Sequence, residues 1–218
     1  IFMITKLIHK CLSILFPIFC FGCEKENYYL CVNCKEKIAP HKEELKIKYC
    51  FQVLIASNYN NPIIKKIIWH FKYRGARDLA NTLSDIMLSN ITFLNSINKT
   101  NCFIVPVPIS KYKLRQRGYN QSEILAKSLS LKTGIAIRTD IIFKKIHTRS
   151  QVEMKTKETR KSNLKNSFIC LNKTECDKEK TIILLDDIIT TGATIEEAAK
   201  TLKKAGFKKI IAVAAAHG

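Results

Sequence analysis

The chain has 218 residues, 46% of them apolar and 25% charged, with 37 Lys and Arg against 18 Asp and Glu for a formal charge of +19. That length suits one substantial domain, or a compact domain with a small appendage, and the apolar share can supply a core. The charge excess favours anionic partners, whether nucleic acid, an acidic membrane surface or a phosphorylated small molecule, without choosing among them.

The chain opens on "IFMITKLIHKCLSILFPIFCFGC". Lys10 and Pro17 interrupt its apolar run, and it lacks both a small-residue cleavage site and the roughly 20 apolar residues of a membrane span. It reads as an amphipathic or buried lead-in helix, with a role at a membrane surface left open. The chain has nine cysteines, and four of them form two CxxC pairs, Cys20 with Cys23 and Cys31 with Cys34. An odd total with this pairing argues against an extracellular disulfide scaffold and for thiolate ligands in a reducing compartment. Two tight knuckles can wrap four thiolates around one tetrahedral zinc ion, leaving no open position, so the site is expected to be structural. The composition shift after the polar stretch "KEKIAPHKEELKIKYC" divides the chain into a cysteine module, residues 1–50, and a larger domain, residues 51–218.

Next come "FQVLIASNY", read as a strand, and "NPIIKKIIWHFKYRG", where Pro62 can open a helix with Ile63, Ile64, Ile67, Ile68 and Phe71 at helical spacing. "ARDLANTLSDIMLSNI" is a second amphipathic helix. "CFIVPVPI" fits a central strand ending near Pro106, "YNQSEILAKSLSLKTG" a helix closed by Gly134, and "IAIRTDIIFKK" a single strand. Residues 147–167 are polar and nearly aperiodic, a loop or lid. "TIILLDD" is a strand, "ATIEEAAKTLKKAG" a helix with Gly206 at its end, and "KIIAVAAA" a last strand. Continuous apolar strands alternating with helices indicate an α/β fold with a parallel sheet covered on both faces.

The strand "TIILLDD" ends in Asp186 and Asp187, followed by Thr190-Thr191-Gly192-Ala193-Thr194 at a helix start. Strand ends of a parallel α/β sheet face the ligand crevice. Adjacent strand residues face opposite ways, so both carboxylates meet one ligand only if the chain turns there. Two close like charges also call for a partner, such as sugar hydroxyls or a divalent ion. Amide groups and threonine hydroxyls of the loop suit a phosphate, so the unit reads as a ribose-5-phosphate cradle. It is neither a Walker loop nor a GxGxxG loop. Lys111, Lys113, Arg115 and Arg117 in "KYKLRQRGYNQ" can meet diphosphate oxygens or form a solvated basic loop. In "WHFKYRG", aromatic and basic residues interleave as on single-strand nucleic-acid surfaces, although Trp69 and Phe71 also fit as helix core.

"ILLDDIITTGAT" resembles the phosphoribosyl-diphosphate (PRPP) motif of type I phosphoribosyltransferases. With the four-cysteine start, "HFKYRGARDLA" and "VPVPISKYKLRQRGYNQSEILAKSL", the chain resembles the ComF family along nearly its whole length. The resemblance implies a type I phosphoribosyltransferase-like domain behind a zinc module. It assigns Asp186 and Asp187 to the ribose hydroxyls and Thr190, Thr191, Gly192, Ala193 and Thr194 to the 5-phosphate. Diphosphate, with magnesium, goes to the segment after Val105-Pro106-Val107-Pro108, with Arg115, Arg117, Gly118, Asn120 and Gln121 as matched positions and Lys72 as a further contact. The polar segment matches the family's flexible loop, which implies roles for Arg149, Gln151, Arg160 and Asn163, with Arg149 at the reacting centre beside the two aspartates. Two functions follow: phosphoribosyl transfer to an acceptor the sequence does not identify, or handling of single-stranded DNA during DNA uptake. The second would use Lys72, Arg74, Lys113, Arg115 and Arg160, alongside a competence helicase or other DNA-uptake proteins as partners. A cytoplasmic protein, with contact to the inner membrane face left open, is the expected location.

Overall fold

The computed structural model describes residues 17–145, 166–172 and 174–218. The apolar lead-in up to residue 16 and the loop positions Arg149, Gln151, Arg160 and Asn163 lie outside the described residues.

Five parallel strands form the main sheet: β1 (Gln52–Asn58), β2 (Cys102–Pro106), β3 (Ala136–Ile137), β6 (Thr181–Ile189) and β7 (Lys209–His217), in the order β1-β7-β6-β2-β3. A separate antiparallel pair joins β4 (Ile142–Lys144) to β5 (Phe168–Cys170). The expected single strand "IAIRTDIIFKK" is therefore two strands in two sheets. Between them Arg138 grips Asp140 (2.8 Å from Nε) and Asp177 (3.2 Å), which holds the chain in a bend at Thr139 and Asp140.

The helices between the strands are α1 (Val32–Glu36), α2 (Pro62–Tyr73), α3 (Leu79–Asn90), α4 (Phe93–Ser96), α5 (Lys111–Arg117), α6 (Gln121–Thr133), α7 (Glu175–Glu179) and α8 (Ala193–Lys204). α2 starts where the sequence says it should: Asn61 accepts from the amides of Ile63 and Ile64, with Pro62 in the first turn. Its face of Ile64, Ile67, Ile68 and Phe71 is fully buried, each side chain contributing about 1.5–3 kcal/mol of transfer free energy. The basic segment expected as a loop is instead the helix α5, capped by Ser110, whose hydroxyl accepts from the Lys113 amide, and ended by Gly118 at φ +76°.

Alternation along the central strands feeds two cores. Ile183, Leu185, Ile211, Val213 and Ala215 pack with α2, α3 and α6. Ile182, Leu184, Ile210, Ala212 and Ala214 pack with α8 and with Ile141, Ile142 and Phe168. The stretch between the cysteine cluster and β1 follows the edge strand. Ile38 enters the first core, Ile47 the second, and the Asn90 amide ties the carbonyls of Ile38 and Ala56 together (3.3 and 2.9 Å). Among the described residues no helix is long and apolar enough to cross a membrane.

Candidate active site and metal centre

The sheet order locates a crevice. From β2 the chain crosses outward to β3, and from β6 it crosses the opposite way to β7. The carboxyl ends of β2 and β6 thus flank the switch point of the sheet, where ligands of open α/β folds bind. Pairing of β2 with β6 runs to Pro106 opposite Leu185, and the Val107 amide adds a last bond to the Leu185 carbonyl (2.9 Å). The next residues of β6 are Asp186 and Asp187.

The strand does not turn at the aspartates, contrary to the simplest way of serving one ligand; it continues to Ile189. Asp187 shares its parity with Ile183 and Leu185 and meets Lys72 of α2, Nζ lying 2.7 Å from Oδ2 in a pair 14% and 7% exposed. That contact is an ion pair without hydrogen-bond alignment, and Oδ2 has no hydrogen-bonded donor. Asp186 is held from the other side of the switch point: the Ser122 hydroxyl donates to Oδ1 (2.8 Å), as does the Asp187 amide (2.9 Å). Burial, and then the neighbouring Asp187 charge, push the Asp186 carboxyl up to about 7, while Ser122 and Lys72 oppose the rise.

A cationic rim faces these carboxylates. Desolvation, then Arg117 and Lys72, hold Lys113 below the ordinary lysine range, and both aspartates oppose that shift. Lys113 is exposed as a residue, so the desolvation concerns its ammonium end. Lys144 of β4 is lowered in the same way, by desolvation first, then by Lys113, against the pull of Asp186. Arg117 donates to Gln121 Oε1 (3.0 Å) and lies over the Tyr73 ring at 5.4 Å, yet among the described residues its Nε is buried without a hydrogen-bond partner, as is Gln121 Nε2. Asn120 caps α6 through the Ser122 amide and binds the Val107 carbonyl (3.1 Å), joining the α6 start to the end of β2. Tyr119 hydrogen-bonds the Phe71 carbonyl and lies under Arg77. Arg115 is exposed.

Beyond β6, Thr190 and Thr191 are exposed and Gly192 is buried at φ +74°, at the N-cap of α8 with no side-chain cap on the helix amides. Those amides are free to meet an anion. A Cβ at Gly192 would come 2.9 Å from Ile47 Cδ1, so glycine is required by both its backbone angle and its neighbour.

On the outer face of α2, Trp69 (42% exposed) and Tyr73 (55%) point outward, with Arg74 over the Trp69 ring at 5.1 Å. The two readings of "WHFKYRG" therefore divide by residue: Phe71 is core and Trp69 is surface. His70 stacks on Phe21 at 4.9 Å, a packing role. Glu123 pairs with Lys127 (2.7 Å) on the surface of α6.

The four cysteines of the knuckles converge. Their sulfur atoms all lie within 4.8 Å of one another, with Cys23 and Cys31 at 3.6 Å, so the set can hold a metal ion. Cys20 is lowered to about 6 by amide donors, the Cys31 amide foremost, which outweigh burial. Burial and neighbouring thiols push Cys34 up to about 12. Gly22 has no room for a side chain, since a Cβ would lie 2.7 Å from Cys34 Sγ and 2.9 Å from Ile63 Cδ1.

Three contributors lacked a local signal in the sequence. Ser122 reads as the second residue of a helix, Lys144 as the tail of a strand, and Ile47 as part of a polar stretch. Only the topology brings them to the crevice.

Residues 114–218 match the phosphoribosyl transferase domain family. Over 201 residues the chain is 28% identical to competence protein F of Haemophilus influenzae, covering 88% of this chain and 86% of that one. It is 30% identical over 146 residues to competence protein ComFC of Bacillus subtilis, covering 67% of this chain but only 56% of the Bacillus protein. The DNA utilization protein YhgH of Salmonella typhimurium is 25% identical over 179 residues, 81% of this chain and 72% of that protein. The paired-cysteine start, the parallel five-stranded sheet and these matches together support a ComF-family, phosphoribosyltransferase-like protein.

Proposed function

We propose that this ComF-family competence protein binds PRPP in the crevice between β2 and β6. The carrying observation is the gathering of charged and unmet polar groups there: among the described residues Arg117 Nε and Gln121 Nε2 are buried without hydrogen-bond partners, beside the Lys72–Asp187 ion pair. Buried polar groups are nearly always paired, so such a gathering at a switch point supports a missing polyanionic, hydroxyl-bearing ligand. In this reading Asp186 and Asp187 receive the ribose hydroxyls: although β6 does not turn, both carboxylates act on Lys72 and Lys113 and so border one crevice. Thr190, Thr191, Gly192, Ala193 and Thr194 receive the 5-phosphate at the α8 start. Lys72, Lys113, Arg115 and Arg117 neutralise the diphosphate, with Lys144 as an added cation.

Magnesium takes oxygen ligands, and the adjacent carboxylates of Asp186 and Asp187 suit it. When bound with PRPP it would offset diphosphate charge. Zinc suits the four-thiolate set, which with every ligand supplied by the chain serves structure. If transfer occurs, the bond from C1 to the diphosphate oxygen breaks while the acceptor's lone pair forms the new bond at C1, and pyrophosphate leaves. The cationic rim lowers the energy of that departing charge, and Arg149 belongs to the segment proposed to close over it. Calorimetric titration of PRPP with magnesium tests the reading: saturable binding, lost in Asp186→Asn and Lys72→Met, is expected. Absence of binding to the folded protein would overturn it. Pyrophosphate release with nucleobases, amines and DNA as acceptors then separates a transferase from a binding protein.

A second role rests on its own observation. Trp69 and Tyr73 are exposed, with Arg74 over the Trp69 ring and Arg117 over the Tyr73 ring, an aromatic and basic surface suited to stacking single-stranded DNA. The relatives named for competence and DNA utilization support this role. Lys72, Arg74, Lys113, Arg115 and Arg160 are the proposed phosphate contacts. Affinity for an oligonucleotide should fall steeply with salt and drop further in Trp69→Ala and Arg74→Ala. An affinity indifferent to salt and to both changes would exclude this surface.

A further inference from the structure

A second group of metal-ligating side chains stands apart from the cysteines and from the crevice. His41 and Glu43 lie two residues apart on the stretch that follows the β1 edge, and His217 ends β7. Their ligand atoms all lie within 4.8 Å of one another. The imidazoles of His41 and His217 meet edge-on, with ring centroids 5.1 Å apart. Nε2 of His41 is shielded from solvent and has no hydrogen-bond partner among the described residues. A buried ring nitrogen beside a second imidazole, both facing a carboxylate, is costly as a plain packing contact. It is the arrangement that a shared cation resolves.

We propose that His41, Glu43 and His217 form a second metal site. Two imidazoles with one carboxylate select a borderline first-row divalent ion such as zinc, cobalt or nickel over magnesium or calcium. Metal–nitrogen and metal–oxygen bonds near 2.0–2.2 Å bring ligand atoms to roughly 3–3.6 Å from each other, a short closure from the present separations. Three protein ligands leave room for water or a further donor.

The position gives the ion a consequence. His217 is in register with Ile189, which precedes the Thr190–Thr194 loop, and the Gly218 amide binds the Ile189 carbonyl (3.0 Å). His41 and Glu43 belong to the same stretch that sets Ile47 against Gly192. A metal here fastens that stretch to the end of β7 and so steadies the cover of the phosphate loop.

Metal stoichiometry on the full chain, free of any polyhistidine tag, tests the proposal. Protein carrying a single zinc equivalent per chain, held by the four cysteines, is titrated with cobalt by equilibrium dialysis and absorption spectroscopy, with hydrogen exchange followed over residues 38–47. One cobalt equivalent is expected without thiolate-to-cobalt charge transfer, together with slower exchange in that stretch. His41→Ala and His217→Ala should each weaken it by more than about tenfold. Glu43→Gln alters an exposed side chain, so a matching loss there separates ligation from misfolding. No such equivalent in the wild type, or one that all three variants bind with unchanged affinity, overturns the site.

Discussion

The cysteine knuckles and the aspartate crevice answer the same electrostatic problem in opposite ways. Each gathers groups that repel when ionised. The knuckles collect four soft ligands within one stretch of 15 residues, Cys20 to Cys34, a set that a single ion could complete. The crevice draws on β6, α2, α5, α6 and β4, and stays incomplete: a carboxyl raised to about 7, a close ion pair and, among the described residues, two orphaned polar atoms, Arg117 Nε and Gln121 Nε2. A site that satisfies itself serves the fold, whereas a site that leaves polar groups unmet keeps interaction energy for a ligand.

The largest effect should come from breaking the self-contained site. Structural zinc supplies about 10–16 kcal/mol in isolated zinc-finger peptides. Chelation, or Cys34→Ser, should therefore unravel the stretch around residues 17–36 and lower the melting temperature of the whole chain, because the cluster packs on Ile63 of α2. Limited proteolysis and thermal scans read this out. An unchanged cleavage pattern in metal-free protein would show that the knuckles are not a structural centre.

Next is the ion pair. Removing one partner of a buried pair costs roughly 3–5 kcal/mol because the other charge is stranded. Lys72→Met should lose stability on that scale in urea unfolding, and Lys72→Met with Asp187→Asn should recover most of it. PRPP binding should stay lost in the double variant. Recovery of stability together with binding would mean that the pair serves the fold alone. Gly192→Ala should cost about 1–2 kcal/mol for its left-handed angle. Ile47→Ala in the same chain should relieve the 2.9 Å contact but leave that angular cost. Full rescue by Ile47→Ala would remove the angle from the account.

How much was legible follows from how far each interaction reaches along the chain. The knuckle ligands are fixed by spacing alone, although the need for glycine at Gly22 depends on how closely Cys34 Sγ folds back on it and partly on Ile63, some forty residues away by sequence number. The strand carrying Asp186 and Asp187, and the loop after it, were readable as one local unit. Lys72 could be named as a contact, but its pairing with Asp187 depends on the parity of β6 and on which face α2 covers. Ser122 and Lys144 gave no signal because nothing in a helix start or a strand tail reveals what lies across the switch point. Ser110 and Gly118 did carry ordinary cap signals for α5, which the run of basic residues obscured. In "IAIRTDIIFKK" the apolar run outweighed Thr139 and Asp140, and the clasp on Arg138 that ends β3 comes partly from Asp177, 39 residues on.

The smallest effect is the sharpest test of the crevice. Asp186 titrates in the folded chain at about 7, against roughly 3.9 for an unfolded aspartate. The folded state binds the proton more tightly, so this group's contribution to stability is fully present below about pH 4 and declines as pH rises toward 7. Asp186→Asn should remove that decline. Ser122 donates to the same carboxyl, and its bond favours the charged form. Ser122→Ala should therefore push Asp186 still higher and extend the decline to more alkaline pH. The destabilisation by Ser122→Ala should be larger at pH 8 than at pH 5, by about 1 kcal/mol, the difference between a charge-assisted and a neutral hydrogen bond. Urea midpoints at the two pH values measure it, with Ser122→Ala in an Asp186→Asn background as the reference. Equal losses at both pH values would mean that Asp186 is already ionised at pH 5 and that the crevice does not hold its carboxyl in reserve.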